Sequence, residues 1–259
     1  MFFPEPVIQF KGQKSRGSVL ATTNQMETKP IHFADRQVLT VFPKYLAGLP
    51  EATKALGLEE PGPALVLIGG QIATEHAAAT EQALQTIAKT VNETGALIIC
   101  GGTDMGVMAK IGQIRTENNY QFPLVGIAPE SQVTWPNGPK SKRFLWWGTH
   151  RWPLASGYTH FILVPGKEFG DESLWITQTA TQLAGKYSSV TVLLNGGEIA
   201  RKDIKLSLES LRPVIALAGT GRYADELAAQ PKPPNLVTII QATDKTSIFE
   251  AICTKLKFR

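Results

Sequence analysis

The sequence predicts an α/β protein: a doubly wound, mostly parallel β-sheet with helices on both faces. Three observations carry this. Short apolar runs recur along most of the chain and are continuous rather than alternating, as in strands buried on both faces. Stretches with helical spacing separate them, which is the rhythm of βαβ crossovers. Five of the runs end in glycine, the residue that lets backbone turn tightly or approach a ligand at a strand's carboxyl end.

Residues 1–60 are the least regular part, broken by Gly12, Gly17 and five prolines. Within them Gln37–Phe42 predicts a strand, and Tyr45–Leu58 a short helix interrupted by proline. This segment is expected to be an N-terminal elaboration packed on a core domain spanning 61–259. Ala64–Ile68 predicts the first core strand, ending in Gly69-Gly70, and residues 74–91 the first long helix, with Thr74 or Thr80 near its cap. Ala96–Cys100 predicts the next strand, ending in Gly101-Gly102, followed by a helix over Met105–Ile114. Strands follow at Phe122–Ala128 and Phe161–Val164, then a helix over Leu174–Ala184. Val190–Leu194, Val214–Ala218 and Leu236–Ile240 predict the remaining strands, and Thr246–Leu256 a final helix. The stretch 129–158 has little periodicity, yet it holds four of the five tryptophans, Trp135, Trp146, Trp147 and Trp152. A long loop of this kind in a compact domain is usually functional or mobile. Its aromatic residues either stack on a base or pack the loop onto the core.

Composition narrows the functional classes. At 259 residues, with 43% hydrophobic and 19% charged residues, the chain can bury a large core without a metal or disulfide. The two cysteines, Cys100 and Cys253, form no metal or disulfide pattern, so a reducing, cytoplasmic setting is the simpler reading. No apolar run is long enough to span a bilayer, and the opening Met1–Pro6 lacks the basic start and apolar core of a secretory signal. The net charge of +4 is mild, and its densest run, Lys140-Ser141-Lys142-Arg143, is too short for a nucleic-acid footprint. A small anionic ligand fits better than nucleic acid.

Parallel strands place their carboxyl ends on one edge of the sheet, where ligands of open α/β sheets bind at a topological switch point. The glycines at 69–70, 101–102, 166, 196–197 and 219/221 all fall on that edge. Gly101-Gly102-Thr103-Asp104-Met105-Gly106 joins a strand to a helix, the context of a phosphate-binding turn, although it is neither a Walker loop nor a Gly-x-Gly-x-x-Gly fingerprint. In Gly219-Thr220-Gly221-Arg222-Tyr223-Ala224-Asp225, Arg222 could clamp a phosphate or carboxylate, and Asp225 complements the helix dipole. No catalytic centre is legible. The histidines at 32, 76, 150 and 160 form no triad or zinc spacing, and the adjacent Asp171 and Glu172 make a poor acid/base pair.

The segment from Gly95 to Met108, with Gly101-Gly102-Thr103-Asp104-Met105-Gly106-Val107-Met108 at its end, resembles the glycine-glycine-threonine segment of the SLOG superfamily. It is most similar to the LSDAT branch, the prokaryotic relatives of the cytosolic N-terminal domain of TRPM channels. Val125–Pro129, Thr159–Val164 and Pro213–Leu227 agree in order, so the likeness covers roughly 63–228. The resemblance implies a Rossmann-like fold and a nucleotide-derived ligand such as ADP-ribose. By position it assigns ligand contacts to Gly69, Gly70, Gly101, Gly102, Thr103, Met105, Gly106, Gly166, Gly219, Gly221 and Arg222, with Thr220 between the last two glycines. The phosphoribohydrolases of the superfamily carry Pro-Gly-Gly-x-Gly-Thr-x-x-Glu. Here the same place reads Pro165-Gly166-Lys167-Glu168-Phe169-Gly170-Asp171-Glu172, with the catalytic carboxylate displaced and Lys167 free to contact a phosphate.

The expectation is a non-catalytic sensor of a nucleotide-type small molecule, acting on a downstream effector or a second copy of itself. Two alternatives stand beside it: an N-glycosidic or nucleotide hydrolase in which Glu168 or Glu172 substitutes for the missing carboxylate, and a protein-interaction module built on the tryptophan-rich loop.

Overall fold

The computed structural model describes residues 26–34, 36–139 and 151–257. In chain order the elements are β1 (Thr28–His32), β2 (Gln37–Val41), α1 (Leu49–Ala55), β3 (Ala64–Gly69), α2 (Ala77–Thr94), β4 (Leu97–Cys100), α3 (Gly106–Glu117), β5 (Leu124–Pro129), β6 (Val133–Thr134), β7 (Trp152–Pro153), β8 (His160–Val164), α4 (Ser173–Ala184), β9 (Ser189–Leu194), α5 (Glu198–Glu209), β10 (Val214–Ala218), α6 (Arg222–Ala228), β11 (Val237–Gln241) and α7 (Lys245–Lys255). Nine strands form one sheet in the order β1-β2-β8-β5-β4-β3-β9-β10-β11. Every neighbouring pair is parallel except β1–β2, which is antiparallel.

The continuous apolar strands are buried as their pattern requires. Along β3, Leu65 and Leu67 face one core layer and Ala64, Val66 and Ile68 the other. The first layer is closed by α2, α3 and α7, and the second by α1, α4, α5 and α6. The helix termini follow local rules. Helix α2 ends on Gly95 at φ +65°, a left-handed cap that glycine adopts without a Cβ penalty. Helix α7 starts at Asp244, whose carboxylate accepts from the Ser247 N–H at 3.0 Å. Neither Thr74 nor Thr80 caps α2, because a 3-10 turn over Thr74–His76 leads into it.

Four elements lie outside the sequence expectation: the short paired strands β6 and β7 within the stretch read as a loop, and β1 and α5. Strand β1 forms an edge of the sheet ahead of β2, so residues 28–41 extend the sheet itself. Helix α5 fills the stretch between β9 and β10. Strand order runs outward from β3 through β4, β5 and β8, then restarts at β9 on β3's other side, which puts the switch point between β3 and β9.

Candidate functional site

A cavity of about 450 Å³ opens at the carboxyl ends of the central strands. One wall is glycine backbone, Gly69-Gly70 after β3 and Gly101-Gly102 after β4, continued by Thr103 and Met105. The opposite wall comes from Phe169 and Ile176 around α4, and Ile199 and Ala200 of α5. Leu67, Ile68, Ile127 and Ala128 form apolar strand surface, and Trp152 stands at the margin. Among the described lining residues Arg222 is the one cation, against the acids Glu172, Glu198 and Asp203.

The glycines are there for closeness. A Cβ on Gly69 would stand 2.6 Å from Val107 Cγ2, and one on Gly102 2.8 Å from the Phe161 ring. Gly106, at φ +53°, lies so near the Gly70 carbonyl that a Cβ would overlap it, and it lets Val107 N–H donate to that carbonyl at 3.1 Å. Asp104 N–H donates to Pro153 C=O at 2.7 Å and Met105 N–H to Thr103 C=O at 2.8 Å. Several amides at the start of α3 are therefore engaged within the protein. Met105, not Thr103, is the N-cap of α3, and no side chain caps it.

The switch point is tied together by Asn195, held at φ +48°. Its Oδ1 accepts from Gly70 N–H at 2.7 Å and also from Gly196 N–H, and its own N–H donates to Thr220 Oγ1 at 2.8 Å. Thr220 Oγ1 in turn donates to Leu217 C=O at 2.7 Å, so this buried hydroxyl is a brace between β9 and β10. Asp225 does more than face the helix dipole. Its carboxylate accepts from Gly219 N–H at 2.6 Å and from Gly221 N–H at 3.0 Å. An anionic side chain thus already occupies the amides of that loop, and His76 Nδ1 lies 3.1 Å from Gly219 O. Arg222 emerges from the loop at φ +54° and is exposed. Its guanidinium lies over Gly70 and Gly197, so close that a Cβ on Gly70 would be 3.2 Å from Nη1.

Of the residues expected from sequence, Gly69, Gly70, Gly101, Gly102, Thr103, Met105 and Arg222 line the one cavity. Gly106, Gly219, Thr220 and Gly221 do not line it: Gly106 packs on the Gly70 carbonyl, Thr220 holds Asn195, and Gly219 and Gly221 donate to Asp225. Gly166 and Lys167 belong to a separate turn, where Asp171 accepts from Lys167 N–H at 2.7 Å and Glu168 N–H at 3.3 Å. Those two bonds hold the Asp171 carboxyl below its usual range. Of the tryptophans, Trp135 packs against Phe42, its ring 6.1 Å away, and Trp152 lines the cavity. Trp146, Trp147, His150 and the Lys140–Arg143 run lie outside the described residues.

Of the acids, the sequence offered Glu168 or Glu172 as a stand-in carboxylate, and Glu172 lines the cavity whereas Glu168 does not; Asp203 was missed. Glu172, at the N-cap of α4, is 7% exposed and accepts from Gly170 N–H at 2.6 Å. Burial pushes its carboxyl up to about 7, with the charges of Asp203 and Asp171 adding to the rise. Asp203 on α5 is also 7% exposed, and burial pushes it up to about 6 against the opposing pull of Ser173 and Lys202. The signal that could have revealed it is an acid on the inward stripe of a helix, with Ala200, Ile204 and Ser207. Among the described residues no group of three potential metal-binding side chains forms, and no helix is long and apolar enough to cross a membrane.

Comparison with known proteins places these features in a lineage. A family model described as "SLOG in TRPM, prokaryote" matches residues 62–254. No curated protein matches the chain. Among solved structures, TM1055 of the Northeast Structural Genomics Consortium aligns with a TM-score of 0.52 at 19% identity, covering 74% of this chain and 99% of its own. The molybdenum cofactor carrier protein of Chlamydomonas reinhardtii aligns at 0.51 and 17% identity, covering 76% and 99%. At such identities the likeness is one of fold: the Rossmann-like layering described above.

Proposed function

The chain belongs to the prokaryotic SLOG-in-TRPM family, and from that premise we propose that it binds a nucleotide-derived ligand of the ADP-ribose kind, without turning it over. The observation that carries this reading is Arg222, the single cation among the described lining residues, at the switch-point end of a largely apolar, glycine-walled cavity. A guanidinium offers bidentate donors to a phosphate. Apolar strand surface and Trp152 offer area for a flat ring. In this reading Gly69, Gly70, Gly101, Gly102, Thr103, Met105 and Arg222 touch the ligand. Gly106, Gly219, Thr220 and Gly221 hold the wall, and Gly166 and Lys167 take no direct part. Residues 61–259 form the ligand-binding unit and 1–60 its elaboration, and the protein works in the cytoplasm as a sensor for an effector. The Chlamydomonas neighbour, a molybdenum cofactor carrier protein, gives a precedent in this fold for carrying a small molecule.

One observation favours a second reading, hydrolysis. Glu172 faces the same cavity with its proton affinity raised close to neutrality, as a general acid requires. Thermal stabilisation against ADP-ribose, ADP, cyclic nucleotides and nucleoside monophosphates, with the ligand recovered afterwards, separates the two. Intact ligand supports the sensor, and breakdown products support the hydrolase. Arg222→Ala should weaken binding by about 1.5–3 kcal/mol, the usual loss for a charged hydrogen-bond partner. An unchanged Kd would remove Arg222 from the site, and no stabilisation by any of these ligands would end the nucleotide reading.

A further inference from the structure

Helix α5 turns Ala200, Asp203, Ile204 and Ser207 inward, and Asp203 is the only charged member of that stripe. It lines the cavity, and its buried Oδ1 has no partner at ordinary hydrogen-bond geometry; the Ser173 hydroxyl, itself without a partner, stands close enough to favour the ionised carboxyl but is a single neutral donor. An unsatisfied buried acceptor is destabilising, more so when charged, and native structures rarely keep one without a reason. The neighbouring cation does not satisfy it, because Lys202 Nζ donates instead to Gly170 C=O at 2.6 Å. Glu172 brings a second buried carboxyl to the same cavity, with one oxygen held by Gly170 N–H. Between these acids and the Arg222 end the wall is apolar, including Ile199 and Ala200. Arg222 sits over Gly197, at the start of α5. Asp203 lies five residues beyond Glu198, about 7–8 Å along the helix axis. The cavity therefore has an end that holds Arg222, where Glu198 also stands but pairs with Arg201, and, separately, an acceptor-rich end.

We propose that Asp203, with Glu172 beside it, forms a subsite that accepts hydrogen bonds from paired neutral donors on the ligand, the vicinal hydroxyls of a ribose, while Arg222 holds the phosphate. This rests on the nucleotide reading above and adds the sugar to it. Neutral donors fit better than a cation, which would have to be desolvated among the apolar walls. The raised proton affinity of both acids agrees, since burial outweighs the pull that Lys202 and Ser173 exert on Asp203. The subsite also accounts for the unpartnered oxygen: the partner arrives with the ligand.

The test measures binding of ADP-ribose, ADP, their 2′-deoxy forms and 2″-deoxy-ADP-ribose to the full chain and to Asp203→Asn. Wild type should bind at least one ribo form about 10- to 100-fold more tightly than its deoxy form, the loss expected for charge-assisted hydrogen bonds. Asp203→Asn should bind the ribo form that much more weakly and no longer discriminate. The unliganded variant should melt at the same or a higher temperature, because it removes a carboxylate whose burial cost exceeds the pull of Lys202; a clear loss of stability would mean that the carboxylate is held by the protein itself and would overturn the proposal. Equal wild-type affinity for ribo and deoxy forms overturns the proposal and needs no variant to do so. Discrimination that survives in Asp203→Asn overturns it as well. Ribo forms that bind, lose affinity in Arg222→Ala and remain indifferent to both changes leave the nucleotide reading standing and remove only the sugar subsite. Failure of every nucleotide to bind ends both.

Discussion

Replacing Glu172 with glutamine should flatten the loss of stability that the unliganded protein suffers as pH rises through neutrality. The carboxyl is 7% exposed, and burial lifts its pKa from 4.5 to about 7. The folded state then holds a proton that the unfolded chain has released, so stability falls with rising pH across that interval. The stabilising contribution is complete below about pH 4.5 and gone above about pH 7. A difference of about 2.5 in pKa, at about 1.4 kcal/mol each, gives roughly 3–4 kcal/mol. Glutamine keeps an acceptor for Gly170 N–H but cannot ionise, so its profile should lack that slope. His160 works in the opposite sense. Burial lowers its pKa from 6.5 to about 4, so its contribution to stability is lost as pH falls through that range. Asp203, raised from 3.8 to about 6, slopes the same way as Glu172 at lower pH, so wild type sums contributions of both signs and the informative quantity is the difference between wild type and Glu172→Gln. Urea unfolding at intervals from pH 4 to 8, without ligand, measures it. Parallel profiles would refute the reasoning and mean that Glu172 is solvated in solution.

Two further substitutions test the frame behind the cavity. Gly106→Ala adds a Cβ that would overlap the Gly70 carbonyl, at a left-handed φ of +53°. Strain and overpacking together should cost roughly 2–6 kcal/mol by denaturant unfolding; a variant as stable as wild type would mean that the turn opens freely. Asp225→Ala strips the acceptor from the Gly219 and Gly221 amides and should lower stability by about 1–3 kcal/mol. Faster hydrogen exchange at those two amides is the expected signature, and unchanged exchange would count against the brace.

The layered sheet was legible in the sequence because burial on both faces leaves a local mark. A strand such as Val214–Ala218 must be apolar at every position, and its turn must be tight, hence Gly219. Helix α5 left a weaker mark. Its charged residues outnumber its apolar ones, and its inward stripe includes Asp203 and Ser207, so it passes for surface. Strand β1 was hidden for a similar reason: an edge strand with one buried residue, Ile31, needs no apolar run. At the site, the glycines and Arg222 could be found because strand ends share one edge whatever the tertiary detail. Which of them face the ligand could not, because that depends on partners remote in sequence. Asp225 takes the amides of the 219–221 loop, and Thr220 turns inward to brace Asn195. The acid pair is the clearest case. Glu172 and Asp203 stand 31 residues apart, one at the cap of α4 and the other within α5; the sequence offered Glu172 as a stand-in carboxylate, but nothing in it joined Asp203 to that place. The packing of α4 and α5 over the sheet encloses them both, and it is exclusion from water, set by the tertiary structure alone, that raises their proton affinity and leaves an oxygen waiting for a donor.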